Sequence, residues 1–230
     1  MGALRAIIFD LDNTLWDVGP VILRAEHAMF DFLTRHYPRI TARHDLDSMR
    51  DIRARMALAH PQHRHDFTWL RIEALKYHAA DAGYDESMAH ATFEEFYRVR
   101  NEVVLYEDAL PALDRLRTRY RLFAISNGNA DVARIGLGHC FERSLAARDA
   151  GMLKPDPRIF QQLLATAGLA VDEVVHVGDD PEADVEGARA AGLRPVWLNR
   201  ERLPWPLATA APETTIASLA ELPGVLQLPG

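Results

Sequence analysis

Two carboxylates stand two residues apart in Asp10-Leu11-Asp12-Asn13-Thr14, directly after the apolar run Ala6-Ile7-Ile8-Phe9. In extended chain, residues two apart share a face, so Asp10 and Asp12 point the same way. Like charges this close persist only around a cation or with a shared proton. Taken alone, the segment also reads as a polar turn, where Asp and Asn are common. Three further clusters carry chemistry. Ser126-Asn127-Gly128 supplies a hydroxyl and backbone N–H groups suited to an anion. Lys154-Pro155, ahead of a helix start, offers a phosphate counter-charge or a solvated surface lysine. Gly178-Asp179-Asp180-Pro181, with Asp184, adds three more carboxylates, of which Asp180 also fits a helix N-cap.

The elements that must position these clusters are legible as short apolar runs. Ala6-Ile7-Ile8-Phe9, Leu122-Phe123-Ala124-Ile125, Val174-Val175-His176-Val177 and Pro195-Val196-Trp197-Leu198 read as buried parallel strands. Helical patterns separate them. Phe160, Leu163, Leu164 and Ala167 repeat at helical spacing, with Asp156 as N-cap, Pro157 at N1 and Gly168 as the stop. After Val177 the arrangement recurs with Asp180, Pro181 and Gly192. The alternation predicts an α/β fold with a doubly wound parallel sheet, in which ligands bind beyond the carboxyl ends of the strands. Between the first two strands only helical stripes appear: Ile22, Ala25, Met29, Phe32 and Leu33, then Phe67, Leu70, Ala74 and Tyr77, then Phe93, Phe96 and Arg100. These predict a helical insertion with its own small core. Residues 203–212 read as a surface loop, and Ser218 with Glu221 as a capping box.

Composition narrows the function classes. With 26 Lys+Arg against 33 Asp+Glu, the formal charge of −7 disfavours a general nucleic-acid binder. The one cysteine, Cys140, excludes an intrachain disulfide and agrees with a reducing compartment, so cytoplasm is the expected location. No apolar run nears the roughly 18 residues that span a bilayer. Asp10, Asp12, Asp179, Asp180 and Asp184 are expected to gather at one sheet edge, an arrangement that calls for a divalent ion. An all-oxygen donor set favours Mg²⁺ over zinc.

Four motifs in order, Asp10-x-Asp12-x-Thr14, Ser126-Asn127, Lys154-Pro155 and Gly178-Asp179 with Asp184, give the chain a resemblance to the haloacid-dehalogenase-like superfamily over nearly its whole length. The resemblance implies a Rossmann-like core of residues 1–15 and 105–230, with a helical cap of residues 16–104 inserted after the first strand. It implies Asp10 as nucleophile, forming an aspartyl-phosphate, and Asp12 as general acid and then base. Thr14 steadies the loop and belongs to the phosphate-binding set with Ser126, Asn127, Gly128 and Lys154. Mg²⁺ is implied on Asp10, the Asp12 carbonyl and Asp179, with Asp180 and Asp184 behind these ligands, Asp184 either through water or by orienting Lys154. Trp16 is a candidate lining of the substrate cleft. The implied partner is a small phosphorylated metabolite, with no nucleic acid and no membrane, and with monomer and homodimer both open.

Within the superfamily, dehalogenases lack the second aspartate of the first motif, which Asp12 supplies here, while sugar phosphomutases share both. Phe9-Asp10-Leu11-Asp12, Pro20-Val21-Ile22-Leu23-Arg24, Ser126-Asn127-Gly128-Asn129-Ala130 and His176-Val177-Gly178-Asp179-Asp180 are similar to bacterial flavin-mononucleotide phosphatases, which are linked to riboflavin synthesis through a phosphorylated ribitylamino-uracil. Asn13 and Ser126 depart from that group's usual Asp and Thr. A non-enzymatic phospho-acceptor of receiver type also uses clustered Asp, Ser/Thr and Lys, but needs neither a cap nor Asp12. His60, His63 and His65 read as a solvated cap loop rather than a metal site. Trp69, Phe93 and Phe96 read as cap core, and Cys140 beside His139 as a buried residue without an acid partner.

Overall fold

The computed structural model describes residues 3–226. The chain runs through β1 (Ala6–Phe9), α1 (Val18–His36), α2 (Pro38–Thr41), α3 (Leu46–Ala59), α4 (Phe67–Asp81), α5 (Met88–Arg100), α6 (Ala109–Leu116), β2 (Arg121–Ser126), β3 (Arg143–Ala146), α7 (Ala147–Ala150), α8 (Pro157–Ala167), β4 (Val174–Gly178), α9 (Gly187–Ala190), β5 (Arg194–Leu198), β6 (Thr214–Ile216) and α10 (Leu222–Val225). It divides into two compact units, Met1–Asp17 with Val104–Gly230, and Val18–Val103. These boundaries leave Trp16, Asp17 and Val104 with the sheet-bearing unit.

That unit holds a six-stranded parallel sheet in the order β3-β2-β1-β4-β5-β6. All four side chains of β1 are fully buried, as a central parallel strand covered on both faces requires. Ala6 and Ile8 share one core cluster with Phe123, Ile125 and Val174, covered by Ile159, Phe160, Leu163 and Leu164 of α8. α8 starts and stops as its sequence dictates: Asp156 accepts from the Arg158 N–H, Pro157 opens the helix, and Gly168 takes the left-handed conformation at its end. Two strands, β3 and β6, carry no apolar run and escaped the sequence pattern. Both are edges, where half the surroundings are solvent and Arg143, Ser144, Thr214 and Thr215 are tolerated. The expected helix after Val177 also differs. Asp180 and Pro181 open it, but residues Pro181–Glu186 form a wide turn in which the Val185 N–H reaches the Asp180 carbonyl, and only α9 follows as regular helix.

The second unit is all helix. Asp45 caps α3 through the Ser48 N–H, and Asp66 caps α4 through the Trp69 N–H. Its core gathers Ala25, Met29 and Leu33 of α1 with Leu75 and Ala79 of α4 and Phe93, Phe96 and Val99 of α5. The stripe expected on α4 is rotated: Phe67 and Tyr77 are exposed, while Leu70, Arg71, Ala74, Leu75 and His78 are buried. Burying Arg71 is made tolerable by a carboxylate hidden on α1. Glu26 is 2% exposed and receives Arg50 at 2.7 Å, Arg53 at 3.0 Å and Arg71 at 3.6 Å. Arg71 also lies 3.6 Å from the centroid of the Phe96 ring. An apolar-stripe reading is blind to a charge pair of this kind. His60 and His63 pack against the Trp69 ring, at 5.1 and 4.0 Å between centroids.

Burial works against the Glu26 charge, but Arg50, Arg71 and Arg53 prevail and hold its carboxyl below the ordinary range. A depressed carboxylate contributes stability above its unfolded pKa of about 4.3 and loses it as pH falls through the folded value. Glu26→Gln leaves the Arg71 guanidinium buried without a counter-charge and should cost about 2–4 kcal/mol at pH 7. In urea denaturation, the gap between the wild type and this variant should shrink as pH falls below about 4. A gap that stays constant into acid would show that the charge of Glu26 is not what stabilises the unit.

Candidate active site

The sheet register sets the site. Phe9 lies opposite Ala124 on one side and Val177 on the other, so Asp10, Ser126 and Asp179 all emerge at the carboxyl end of three adjacent strands. The Asp10 N–H continues the ladder to the Val177 carbonyl at 2.8 Å, which fixes its backbone before its side chain leaves the sheet.

A buried lysine joins the clusters. Lys154 is 2% exposed, and its Nζ donates to Asp10 Oδ1 at 2.5 Å and Asp184 Oδ1 at 2.6 Å. Its backbone is held by a side chain. Asn127 Oδ1 accepts from the Lys154 N–H at 2.8 Å, and Asn127 Nδ2 donates to the Lys154 carbonyl at 2.9 Å. Asn127 was expected to offer its backbone N–H to phosphate; the structure adds this second task for its amide. Ser126 is buried, and its Oγ accepts from the Gly128 N–H at 3.0 Å, so the expected anion donors are folded onto one another in a tight turn.

Asp184 is saturated. Its Oδ1 also accepts from His176 Nε2 at 2.9 Å, and its Oδ2 accepts from the Asp180 N–H at 3.0 Å. Because a carboxylate only accepts, the His176 proton is assigned to Nε2. His176 is fully buried and stacks edge-on against Phe160. Asp180 uses its carboxylate as a cap, accepting from the Glu182 and Ala183 N–H groups at 2.8 Å.

The loop after β1 is curled tightly. Asn13 takes a positive φ of 59°, and its N–H bonds the Trp16 carbonyl at 2.7 Å. Thr14 is fully buried, and its hydroxyl reaches Asp179 Oδ1 at 3.3 Å, on the carboxylate side of the site. Trp16 corrects an expectation. It is fully buried rather than lining a cleft, and its Nε1 donates to Asp12 Oδ1 at 2.9 Å. The indole N–H is thus spent on the Asp12 carboxyl. The Asp179 carbonyl accepts from Trp197 Nε1 at 2.8 Å, and a cavity of about 460 Å³ opens beside Asp179, Asn13 and Tyr106.

Carboxylate oxygens of Asp10, Asp179 and Asp184 lie within 4.8 Å of one another. Burial, with the charges of Asp184 and Asp179 beside it, pushes Asp10 well above the ordinary range even against the pull of Lys154. Burial and Asp184 likewise raise Asp179 to about 7. Asp184 is the opposite case: burial opposes its charge, but Lys154 and His176 hold it well below the ordinary range. Burial opposes the Lys154 charge too, yet Asp10 and Asp184 keep it firmly protonated. With Asp184 held ionised, Asp10 and Asp179 are the two carboxyls whose negative charge burial and the neighbouring carboxylates penalise, Asp10 even beside Lys154. All-oxygen donors in that state fit a hard divalent cation. Asp12 is not one of the three carboxylates of this cluster, and its Oδ1 is taken by the Trp16 indole N–H.

Away from this edge, Asp114 joins His139 and Cys140 within 4.8 Å, so Cys140 does have an acid nearby. Burial pushes its thiol up, away from nucleophilic use. His60, His63 and His65 form no group of metal-ligand spacing among the described residues. No helix among the described residues is long and apolar enough to cross a membrane. Pattern reading did not single out His176 or the Asn127 amide as site residues. His176 had a usable signal, since a histidine inside the run Val174-Val175-His176-Val177 must find a partner once the strand is buried.

Gly178 is required by the same packing. A Cβ there would fall inside the van der Waals envelope of the Asp184 carboxyl, while one at Gly224 would meet nothing within 4 Å. Gly178→Ala should lower stability in urea by about 1–3 kcal/mol, with Gly224→Ala near neutral as the control. Equal stability of the two variants would show that Asp184 moves aside freely.

Known proteins resemble this chain to different extents. The 5-amino-6-(5-phospho-D-ribitylamino)uracil phosphatase YigB of Escherichia coli is 32% identical over 205 residues, 87% of this chain and 86% of that protein. A phosphoserine phosphatase of Thermus thermophilus is 36% identical over 148 residues, 62% of this chain and 59% of that protein. A crystal structure described as a 2-haloacid dehalogenase from Pseudomonas syringae pv. Tomato DC3000 superposes with a TM-score of 0.92 at 36% identity, covering 97% of this chain and 98% of that one. The family description that matches residues 4–192 runs from β1 through the helical unit to the end of α9, and by it the chain belongs to the haloacid dehalogenase-like hydrolases.

Proposed function

We propose that the protein hydrolyses a small phosphate monoester through an aspartyl-phosphate on Asp10. The observation that carries this reading is the buried Lys154 ammonium, 2.5 Å from Asp10, together with an Asp12 carboxyl that accepts from the Trp16 indole instead. A nucleophile and an acid are thereby kept in different environments at one strand end. In the first step an Asp10 oxygen bonds to phosphorus while the bond to the leaving oxygen breaks, and Asp12 gives that oxygen its proton. In the second, water attacks the aspartyl-phosphate, Asp12 takes the water's proton, and Asp10 is released with inorganic phosphate. Lys154 offsets charge on Asp10 and the phosphoryl oxygens throughout. The carboxylates of Asp10 and Asp179 and the carbonyl of Asp12 are the groups to hold Mg²⁺, which supplies further neutralisation of the phosphate when bound.

A second reading, haloacid dehalogenation, draws support from the dehalogenase-described structure at 36% identity. Asp12 argues against it on chemical grounds. Halide leaves as a weak base and needs no proton, whereas an alkoxide does. Turnover of p-nitrophenyl phosphate with Mg²⁺, stopped by EDTA, supports the phosphatase; chloride release from 2-chloropropanoate without phosphatase activity overturns it. Asp10→Asn should abolish turnover. Asp12→Asn should lower kcat by about 10²–10⁴-fold while keeping Mg²⁺ affinity, because its carbonyl remains. A loss of affinity as large as that of Asp179→Asn contradicts the role given to Asp12.

For the substrate, we infer a riboflavin-pathway phosphate, flavin mononucleotide or a phosphorylated ribitylamino-uracil. Support comes from the segments quoted for that group and from the relative named for the uracil substrate. A panel of phosphorylated metabolites should show kcat/KM highest on these two. Equal values on simple sugar phosphates would remove the pathway assignment and leave the phosphatase chemistry standing.

A further inference from the structure

Arg200 lies two residues past the end of β5, outside every motif, yet it meets three parts of the chain at once. Its Nη1 and Nη2 donate to the two carboxylate oxygens of Asp108, each at 3.0 Å, and Nη2 also donates to the Thr14 carbonyl at 2.9 Å. Its guanidinium carbon lies 3.9 Å from the centroid of the Tyr106 ring. Asp108 is in turn fixed by Ser218 Oγ at 2.6 Å and the Leu219 N–H at 2.8 Å. The Tyr106 N–H bonds the Leu15 carbonyl at 2.9 Å, and Leu105 bridges to Trp16. The fork, the ring and the two short bridges therefore hold the curled loop 11–16 against residues 105–108.

We propose that Arg200 is a positioning residue for the nucleophile loop, acting through the Thr14 carbonyl on the groups that meet substrate and metal. This rests on the reading of the site as a metal-assisted phosphatase. Thr14 is the pivot: its carbonyl is gripped from one side by Arg200, and its hydroxyl points at Asp179. Two residues earlier is Asp12 and two later is Trp16, which aims the Asp12 carboxyl. Rotating the Thr14 peptide disturbs Asp179's partner and the Asp12 carbonyl together. A planar fork grips two acceptors in fixed relation and stacks on a ring; the lysine ammonium is a point charge that does neither.

Arg200→Lys and Tyr106→Leu test this. For Arg200→Lys, kcat on p-nitrophenyl phosphate should fall about tenfold, with KM within about twofold. Its Mg²⁺ affinity, read by calorimetric titration without substrate, should fall about tenfold as well. Tyr106→Leu should shift both in the same direction by less. A merely structural ion pair would lower the melting temperature and leave kcat and Mg²⁺ affinity unchanged in the folded variant. That outcome overturns the proposal. If Arg200→Lys does not fold, Tyr106→Leu decides, and wild-type values of kcat and Mg²⁺ affinity there overturn it equally. Absence of phosphatase activity in the wild type would sink the functional reading by itself, and the calorimetric arm would still decide the role of Arg200.

Discussion

A lysine ammonium held out of water between Asp10 and Asp184 sets the terms for everything around it. A buried cation is tolerable only when its donors are taken by anions of fixed position. The protein meets that demand from both ends of the side chain. At the head, two carboxylates receive the ammonium; at the backbone, the Asn127 amide pairs with both polar groups of Lys154. One consequence is a division of labour among acids of the same kind. Asp184 spends its oxygens on Lys154, His176 and the Asp180 N–H, and stays ionised. For Asp10 and Asp179 burial and the neighbouring acids penalise the ionised form, a penalty that a bound cation would relieve.

The parallel sheet makes such a division feasible. Adjacent strands end in register, so residues far apart in sequence arrive side by side with their backbones already hydrogen-bonded. Precision then comes from neutral donors around the charges. Trp16 aims Asp12, Trp197 holds the Asp179 carbonyl, and His176 completes Asp184. Each is an N–H on a rigid ring, which loses little freedom when ordered; the indoles carry no charge, and burial pushes the His176 imidazole down. Gly178 belongs to the same logic, since the missing Cβ is what lets Asp184 lie against β4.

The helical unit shows that buried charge is not confined to the site. Glu26 with Arg50, Arg53 and Arg71 forms a polar network inside an apolar helix bundle, and Arg71 is sandwiched against Phe96. Such a network specifies which faces of α1, α3 and α4 meet, because a helix rotated by one position would strand a guanidinium in hydrocarbon.

The amino-acid sequence determined the order of the strands along the chain, the helix starts at Asp156 and Asp180, and which polar clusters stand at strand ends. These are local properties, carried by apolar runs and by Asp-Pro and Gly signals that act within a few residues. The edge strands β3 and β6 were not legible, since an edge needs no apolar run. The face of α4 was misjudged for a related reason: Arg71 is buried only because Glu26, on another helix, is there to receive it. At the site, the sequence named Asp10, Asp12, Lys154, Asp179 and Asp184, and the resemblance implied a role for each, but not the hydrogen-bond partners that fix them. Only the tertiary structure decided that Asp184 is saturated, that Trp16 turns inward to Asp12, and that Asn127 holds Lys154. Each of these depends on which hydrogen-bond partner lies within about 3 Å, and that proximity is created by folding, not by spacing along the chain.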